Sequence, residues 1–137
     1  GTPVVEAIGS AEAEGWVRWL PNAGDLDLAQ AYASSTIFVY PSLYEGFGLP
    51  ILEAMSYGLP VVAGDIPALR EAASDAASFA DPADEIAIAD QISALLEDTD
   101  LPADLRSRGL ARVAGYSWRN TAEQTRRVYE QAKRGGR

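Results

Sequence analysis

The sequence has 137 residues, a formal net charge of −9 and 47% hydrophobic residues. This length fits one domain with a hydrophobic core, and the acidic balance excludes a protein that follows the phosphates of a nucleic acid. Cys and His are absent from the sequence, which excludes disulfides, thiolate metal sites and the commonest general base at neutral pH. Any chemistry therefore depends on carboxylates, backbone dipoles or groups from another chain or domain.

No apolar run approaches the roughly 18 residues that a membrane-spanning helix needs. The chain starts at Gly1 rather than at a Met, so we expect a processed chain or a fragment of a longer one. The expected location is the cytoplasm, and peripheral attachment of the full-length parent to the membrane stays open as an alternative.

Turn residues and apolar periodicity divide the chain into alternating strands and helices. The predicted strands cover residues 16–20, 36–40, 60–63 and about 77–80. The predicted helices are one over about 3–13 after a cap at Thr2, one starting at Asp25, those near 49–57, 67–73 and 101–114, one opened by Asp81-Pro82 and one capped by Ser117. This alternation predicts an α/β fold with a parallel sheet that helices cover on both faces.

We interpret residues 1–137 as one domain, in which about 101–134 form packing helices outside the repeating strand–helix pattern. Apolar spacing predicts the buried faces of the last three helices. The predicted stripes are Ile86, Ala89, Ile92 and Leu96; Leu101, Leu105, Leu110 and Val113; and Trp118, Ala122, Thr125, Tyr129 and Ala132.

A glycine-containing loop over residues 41–48 follows the second predicted strand. In open α/β sheets, ligands bind beyond the carboxyl ends of the strands. Gly46 and Gly48 flank Phe47, and their missing side chains let backbone N–H groups approach a ligand closely. The helix that starts at about Leu49 adds free N–H groups and a positive dipole end. The segment therefore favours an anion such as a diphosphate.

Two carboxylates flank this segment. Glu45 precedes the glycines and Glu53 lies about one turn inside the helix, and each can accept hydrogen bonds from the hydroxyls of a sugar. Hydroxyl acceptors at both ends, with N–H donors between them, match a nucleotide sugar. Two simpler interpretations stay open, because a lone glycine loop is weak evidence: Glu53 complements the helix dipole, and the glycines serve only the turn.

The spacing of Glu45 and Glu53 is that of the E-x7-E motif of GT-B glycosyltransferases. The surrounding residues resemble the large retaining family (group 1 glycosyltransferases) that includes sucrose synthases and many bacterial mannosyl- and glucosyltransferases; they are YPSLYEGFGLPILEAM over 40–55 and GLPVV over 58–62. The resemblance covers roughly residues 15–130. It implies a Rossmann-like sheet that forms the C-terminal half of a GT-B fold, truncated at its N-terminus.

The resemblance also implies a function for the segment. Such an enzyme transfers a hexosyl group, with retention, from a nucleotide diphosphate sugar to an acceptor such as a saccharide or a lipid, and it needs no metal or other cofactor. Glu45 would bind hydroxyls of the transferred sugar as the catalytic candidate, and Glu53 would bind the ribose. The implied donor-binding residues are Glu45, Gly46, Phe47, Gly48, Leu49 and Glu53.

Parts of the family pattern are missing from the sequence. The N-terminal acceptor domain is absent, and so is the start of the donor domain with its Arg/Lys pair; no basic residue lies in 41–53. We therefore expect the 137 residues alone to be inactive. The four predicted strands would be the third to sixth of a sheet ordered 3-2-1-4-5-6, which leaves strand 36–40 with an unpaired edge. Such an edge predicts self-association, rearrangement or pairing with the missing part.

Two rival functions stay open at the level of sequence. An epimerase can use the same two-domain fold, and a non-catalytic interaction module would bind no nucleotide at all. The sequence leaves the nucleobase, the sugar and the acceptor unassigned.

Overall fold

The computed structural model describes residues 3–135, which divide between Ala31 and Tyr32 into two compact units. The first unit contains helix α1 (Pro3–Ala13) and the start of helix α2 (Asp25–Ser34). Both helices begin where the sequence predicts them. The predicted cap at Thr2 lies outside the described residues.

Residues 17–20 form no strand, so the prediction of a strand over 16–20 is wrong. A strand is held by hydrogen bonds to a neighbouring strand, and here the polar groups bond locally instead. The backbone N–H of Trp19 donates to Glu12 Oε1 at 2.7 Å, and the indole N–H of Trp16 donates to Glu14 Oε2 at 2.8 Å. The aromatic and β-branched composition of residues 16–20 therefore predicted a strand, but none forms because the segment pairs with no neighbouring strand.

The second unit is built on three short parallel strands in the order β1-β2-β3. They are β1 (Phe38–Tyr40), β2 (Val61–Gly64) and β3 (Ser78–Ala80). Val39 lies opposite Val62, and Ala63 lies opposite Phe79. The parallel sheet is as predicted, with three strands in place of four. Among the described residues only β2 pairs with β1, and self-association through the free edge of β1 stays a prediction.

Five helices connect and follow these strands within a few residues of their predicted positions. They are α3 (Leu49–Ser56), α4 (Pro67–Ala73), α5 (Glu85–Glu97), α6 (Leu101–Ala114) and α7 (Trp118–Gly135). Gly58 ends α3 in the left-handed conformation, with φ 72°. The N–H of Gly58 bonds to Met55 O and that of Leu59 to Ala54 O, which is the hydrogen-bond pattern of a Schellman motif.

Alternate residues of β2 face opposite layers of the core. Val61 and Ala63 pack with α3 and α4, whereas Val62 packs with Leu95 of α5 and Leu105 of α6. All four residues of β2 are buried, as expected for a central parallel strand covered on both faces. Burying a valine side chain contributes about 1.5–3 kcal/mol. Val61 and Val62 therefore make β2 a main contributor to the stability of both core layers.

The start of α5 differs from the prediction. The carboxylate of Asp81 accepts a hydrogen bond from Ala83 N and forms a local turn, so it does not cap the helix. Asp84 is the N-cap instead, since its Oδ1 accepts from Ile86 N and Ala87 N. Aspartate is common both in turns and at N-caps. Here Asp81 forms the turn, and Asp84 caps the helix that follows.

The buried face of α5 is also rotated from the predicted one. Leu95 is 3% exposed, whereas Ile86 and Leu96 of the predicted stripe are 69% and 64% exposed. Ile92 belongs to both faces and packs with the cluster around Val62. Two apolar lines satisfy helical spacing in this segment, and contact with the sheet selects the one that contains Leu95.

The two helices over residues 101–134 differ in how far their predicted stripes are buried, and Leu110 of the α6 stripe is 45% exposed. Leu105 and Gly109 of α6 are buried, but no described residue of α7 is buried. Trp118 and Tyr129 of the predicted stripe are 80% and 72% exposed. Ser117 does cap α7, since its Oγ accepts from Asn120 N at 3.1 Å. An amphipathic pattern predicts a face that can be buried, and burial also needs a neighbouring element.

Gly48 offers a test of this packing. We expect Gly48→Ala to lower the free energy of unfolding by about 1–3 kcal/mol, because a non-glycine residue is strained at positive φ and extra volume in a packed core adds to the cost. The φ of Gly48 is 93°, and an added Cβ would lie 2.6 Å from Cδ2 of the fully buried Leu69. Urea unfolding measures the change.

Gly46→Ala is the matched control for this substitution. An added Cβ at Gly46 would meet no atom within 4 Å, so we expect a change within about 0.5 kcal/mol. Equal stabilities for the two variants would contradict the described packing of Gly48.

Candidate functional site

The glycine loop 41–48 rests directly on the carboxyl end of β2. A Cβ added at Gly64 would lie 2.6 Å from the carbonyl oxygen of Ser42 and 3.2 Å from Pro82 Cβ. Only glycine allows the backbone of the loop to approach this closely. The loop is therefore fixed against the ends of β2 and of the segment that follows β3.

Glu45 is half-buried and held through one oxygen. Its Oε1 accepts hydrogen bonds from the Tyr40 hydroxyl at 2.5 Å and from Ser42 Oγ at 2.9 Å. The hydrogen bond to Glu45, followed by burial, raises the pKa of Tyr40. The hydroxyl is protonated at neutral pH, as that of any ordinary tyrosine is, and it is the donor of this bond. Within residues 3–135, no such bond reaches Glu45 Oε2.

Glu53 lies in the second turn of α3 and is held in a similar way. Its Oε2 accepts a hydrogen bond of 3.3 Å from the hydroxyl of the buried Tyr32. Burial, followed by the nearby charge of Glu53, raises the pKa of Tyr32 to about 12. Glu53 itself is exposed. Each of the two predicted carboxylates is thus anchored by the hydroxyl of one tyrosine.

The N-terminus of α3 carries no acidic group of its own. Gly48 is the N-cap and provides no side-chain acceptor, and the first turn contains no Asp or Glu. Unpaired N–H groups at a helix start carry partial positive charge. Pro50 has no N–H and the N–H of Ile51 bonds to Gly48 O, so the donors that this end of α3 offers to an anion are those that precede Pro50.

Phe47, between the two loop glycines, is tied to the helical layer. Its ring packs edge-on against Tyr116 with a centroid distance of 5.9 Å. The Tyr116 hydroxyl accepts from Arg112 Nη2 at 2.9 Å, and the same guanidinium donates to the carbonyl oxygens of Glu71 and Ala72. The tip of the loop is thereby connected to the carboxyl end of α4.

A cleft of about 830 Å³ opens beside α3. Its volume is in the range of small-molecule sites. Its lining includes Phe47, Leu49 and Glu53 together with Tyr116 and Trp118. Three of the six predicted donor-binding residues therefore border one mostly apolar space.

The first basic residue that follows the loop in the sequence, Arg70, is already paired. Arg70 donates to both carboxylate oxygens of Asp65, at 2.5 and 2.8 Å, and its guanidinium lies 4.4 Å from the Phe79 ring centroid. The hydrogen bond to Arg70 lowers the pKa of Asp65. Since residues 41–53 contain no Lys or Arg, backbone dipoles are the positive groups that this loop itself offers.

The six residues predicted for donor binding keep their roles as predictions. The structure adds three side chains that sequence reasoning left without a role: Tyr32, Tyr40 and Ser42. Tyr40 and Ser42 precede Glu45 by five and three residues, and that short spacing was the available signal. Tyr32 and Glu53 are 21 residues apart, so no local pattern links them.

Comparison with known proteins identifies the family. The family model described as "Glycosyl transferases group 1" matches residues 3–112. The chain belongs to this family. The matched range contains the glycine loop, both carboxylates and the three strands described above.

One curated relative is the O-antigen chain mannosyltransferase B of Escherichia coli, which is 47% identical over 117 residues. This match covers 85% of the chain and 31% of the relative. The chain thus spans about a third of the length of that protein.

Two solved structures of glycosyltransferases are similar in fold. The sucrose-phosphate synthase of Thermosynechococcus elongatus has a TM-score of 0.83 at 27% identity, over 97% of this chain and 34% of that one. The C-terminal domain of a glycosyl transferase group 1 family protein of Francisella tularensis has a TM-score of 0.64 at 25% identity, over 81% and 60% of the two chains. The predicted fold, an α/β C-terminal half of a GT-B glycosyltransferase, is confirmed.

No helix within residues 3–135 has the length and apolar character that crossing a membrane requires. The same residues contain no group of three carboxylates placed to hold a metal ion.

The tyrosine pKa gives a testable dependence of stability on pH. The pKa of Tyr32 is raised from 10.0 to about 12, so the folded protein holds this proton more tightly than the unfolded chain. The resulting stabilisation is complete below about pH 10 and is lost as the pH rises toward 12. We expect the free energy of unfolding to fall as the pH rises through this window. In Tyr32→Phe it should fall less steeply, and the two slopes should differ by at most the contribution of one proton.

Urea unfolding between pH 8 and 11 measures this slope. Tyr44→Phe is the control, because the Tyr44 side chain is 89% exposed and its hydroxyl lies outside the packed layer. A slope for Tyr32→Phe equal to that of the wild type would contradict the burial of this hydroxyl beside Glu53.

Proposed function

We propose that this chain binds the nucleotide diphosphate sugar of a retaining hexosyltransferase. The observation that carries the proposal is the pair of tyrosine-anchored carboxylates on either side of a glycine loop and an uncapped helix start. Retention is part of the proposal and rests on the likeness of residues 40–55 to the E-x7-E family.

The two carboxylates serve as acceptors for sugar hydroxyls. Glu45 binds hydroxyls of the transferred hexose, and Glu53 binds the hydroxyls of the ribose. In each case one oxygen is engaged by a tyrosine, and the second is left for the ligand. A hydrogen bond from a hydroxyl to a charged acceptor contributes about 1.5–3 kcal/mol, which makes these two contacts the main polar contributions to donor affinity.

The diphosphate lies between the two sugars and meets backbone groups. The N–H groups of residues 46–49 and the positive end of α3 stabilise its charge. As the bond to the hexose breaks, further negative charge develops on the leaving diphosphate, so donors fixed at that place accelerate the reaction. A metal ion is not required in this scheme.

The sugar that we propose is mannose, because the curated relative that is 47% identical is a mannosyltransferase. The acceptor is a saccharide or a lipid. The chain spans about a third of that relative, and we propose that the acceptor binds to a separate domain and that transfer needs both. A cytoplasmic location, at the membrane surface for a lipid acceptor, belongs to the same proposal.

Saturation-transfer NMR with UDP-, GDP- and ADP-sugars tests this function on the protein at its natural length. We expect one nucleotide sugar to show transfer to protons of both the hexose and the ribose, because both ends of the ligand contact protein. Absence of binding to every member of the panel would favour a non-catalytic interaction module. Binding followed by interconversion of the sugar, without transfer, would favour an epimerase.

Substitution of the carboxylates tests the site. We expect Glu45→Ala and Glu53→Ala each to weaken donor binding at least about tenfold, since each removes a charged acceptor. Glu97→Ala is the matched control, because Glu97 is an exposed acid at the far end of α5. Isothermal calorimetry measures the affinities. Unchanged binding in both loop variants would refute the assignment.

Gly46→Ala distinguishes an effect on ligand binding from an effect on folding. An added Cβ at Gly46 would touch no protein atom within 4 Å, so the variant should fold normally. We expect it to weaken donor binding about tenfold or more, because the ligand needs close approach to the backbone there. Full affinity in this variant would place the diphosphate away from Gly46.

A further inference from the structure

A short row of aromatic rings joins the anchors of the two carboxylates. The rings of Tyr32 and Phe38 have centroids 5.5 Å apart, and those of Phe38 and Tyr40 are 5.8 Å apart. We define these three residues as the ring row. Tyr57 also stacks on Tyr32, with a centroid distance of 5.3 Å. These separations are those of attractive aromatic pairs.

The ring row ends in a hydroxyl at each side. The Tyr32 hydroxyl donates to Glu53 Oε2, and the Tyr40 hydroxyl donates to Glu45 Oε1. Phe38, in the middle of the row, has no hydroxyl and packs against the core cluster. The two carboxylates are thus connected through packed rings from α2 and β1, in addition to the chain between them.

This connection limits the motion of side chains that are otherwise free to rotate. A glutamate has three rotatable side-chain bonds, and a hydrogen bond to one oxygen from a packed ring fixes where the other oxygen lies. A tyrosine hydroxyl is neutral, so it orients the carboxylate without neutralising its charge, which a Lys or Arg partner would do. Each carboxylate therefore stays a charged acceptor and is held ready for a hydroxyl of the ligand.

We infer that Tyr32 and Tyr40 are positioning residues of the donor site, and that each acts on one half of the ligand. Tyr40 orients Glu45 for the transferred hexose, and Tyr32 orients Glu53 for the ribose. This inference rests on the proposed function, because it assigns the two halves by the roles proposed for the carboxylates. Fixing a flexible side chain before binding saves its ordering cost, which corresponds to about three- to tenfold in affinity.

We expect the two tyrosine substitutions to change the affinities for the nucleotide sugar and for the free nucleoside diphosphate in different ways. In the protein at its natural length, we expect Tyr40→Phe to weaken binding of the nucleotide sugar about three- to tenfold and binding of the free nucleoside diphosphate less than about twofold. The free diphosphate lacks the hexose that Glu45 binds. We expect Tyr32→Phe to weaken both ligands by a similar factor, because both contain the ribose.

Tyr57→Phe is the matched control, because its ring stacks on Tyr32 but its hydroxyl is not a donor to Glu53 or Glu45 among the described hydrogen bonds. We expect it to leave both affinities unchanged. A double variant, Tyr40→Phe with Glu45→Ala, adds a second readout. If Tyr40 acts through Glu45, its substitution has little further effect once the carboxylate is gone.

The outcomes separate this inference from the proposed function. Wild-type protein that binds neither ligand would overturn both. Wild-type protein that binds the nucleotide sugar, with Tyr40→Phe and Tyr32→Phe at full affinity, would overturn the positioning roles alone. Equal losses for both ligands in both variants, together with lower stability in urea, would show that the hydroxyls serve only the fold.

Discussion

The close contact between Gly64 and the backbone of Ser42 is the constraint on which the rest of the site depends. Gly64 ends β2, the strand that is buried along its whole length, and a side chain there would meet Ser42 O at 2.6 Å. Because β2 is held by neighbours on both sides and by core layers on both faces, the loop that rests on it takes a defined position.

The positions of the two carboxylates follow from this constraint. Ser42 and Tyr40 stand on either side of the point where β1 becomes the loop, and both donate to Glu45. The left-handed turn at Gly48 then directs the chain into α3, which carries Glu53 to the buried Tyr32. The geometry of the site is therefore set by backbone packing, and the tyrosine hydroxyls refine it.

The charges of the site suit a ligand with polar hydroxyls at its ends and an anion in its middle. Bare phosphate would be repelled by Glu45 and Glu53, and the loop offers it no Lys or Arg. In the function that we propose, a nucleotide sugar places its hydroxyls at the carboxylates and its diphosphate at the helix start, so each part meets a group of suitable charge. Membership of the glycosyl transferases group 1 family agrees with this electrostatic pattern.

Residues close together in the chain were enough to predict the alternation of strands and helices, the three strands of the sheet and the turn that contains Gly48, because propensity and apolar spacing are local properties. The tertiary structure decided which face of α5 is buried, that residues 16–20 form no strand, that α7 stays exposed, and that tyrosines anchor both glutamates. Most of these outcomes depend on whether a partner distant in sequence is present, such as Tyr32 for Glu53 across 21 residues, whereas Tyr40 precedes Glu45 by only five. Local propensity and periodicity depend on neighbours along the chain. They do not show which distant surface packs against a strand or a helix face, or which distant group bonds to a hydroxyl.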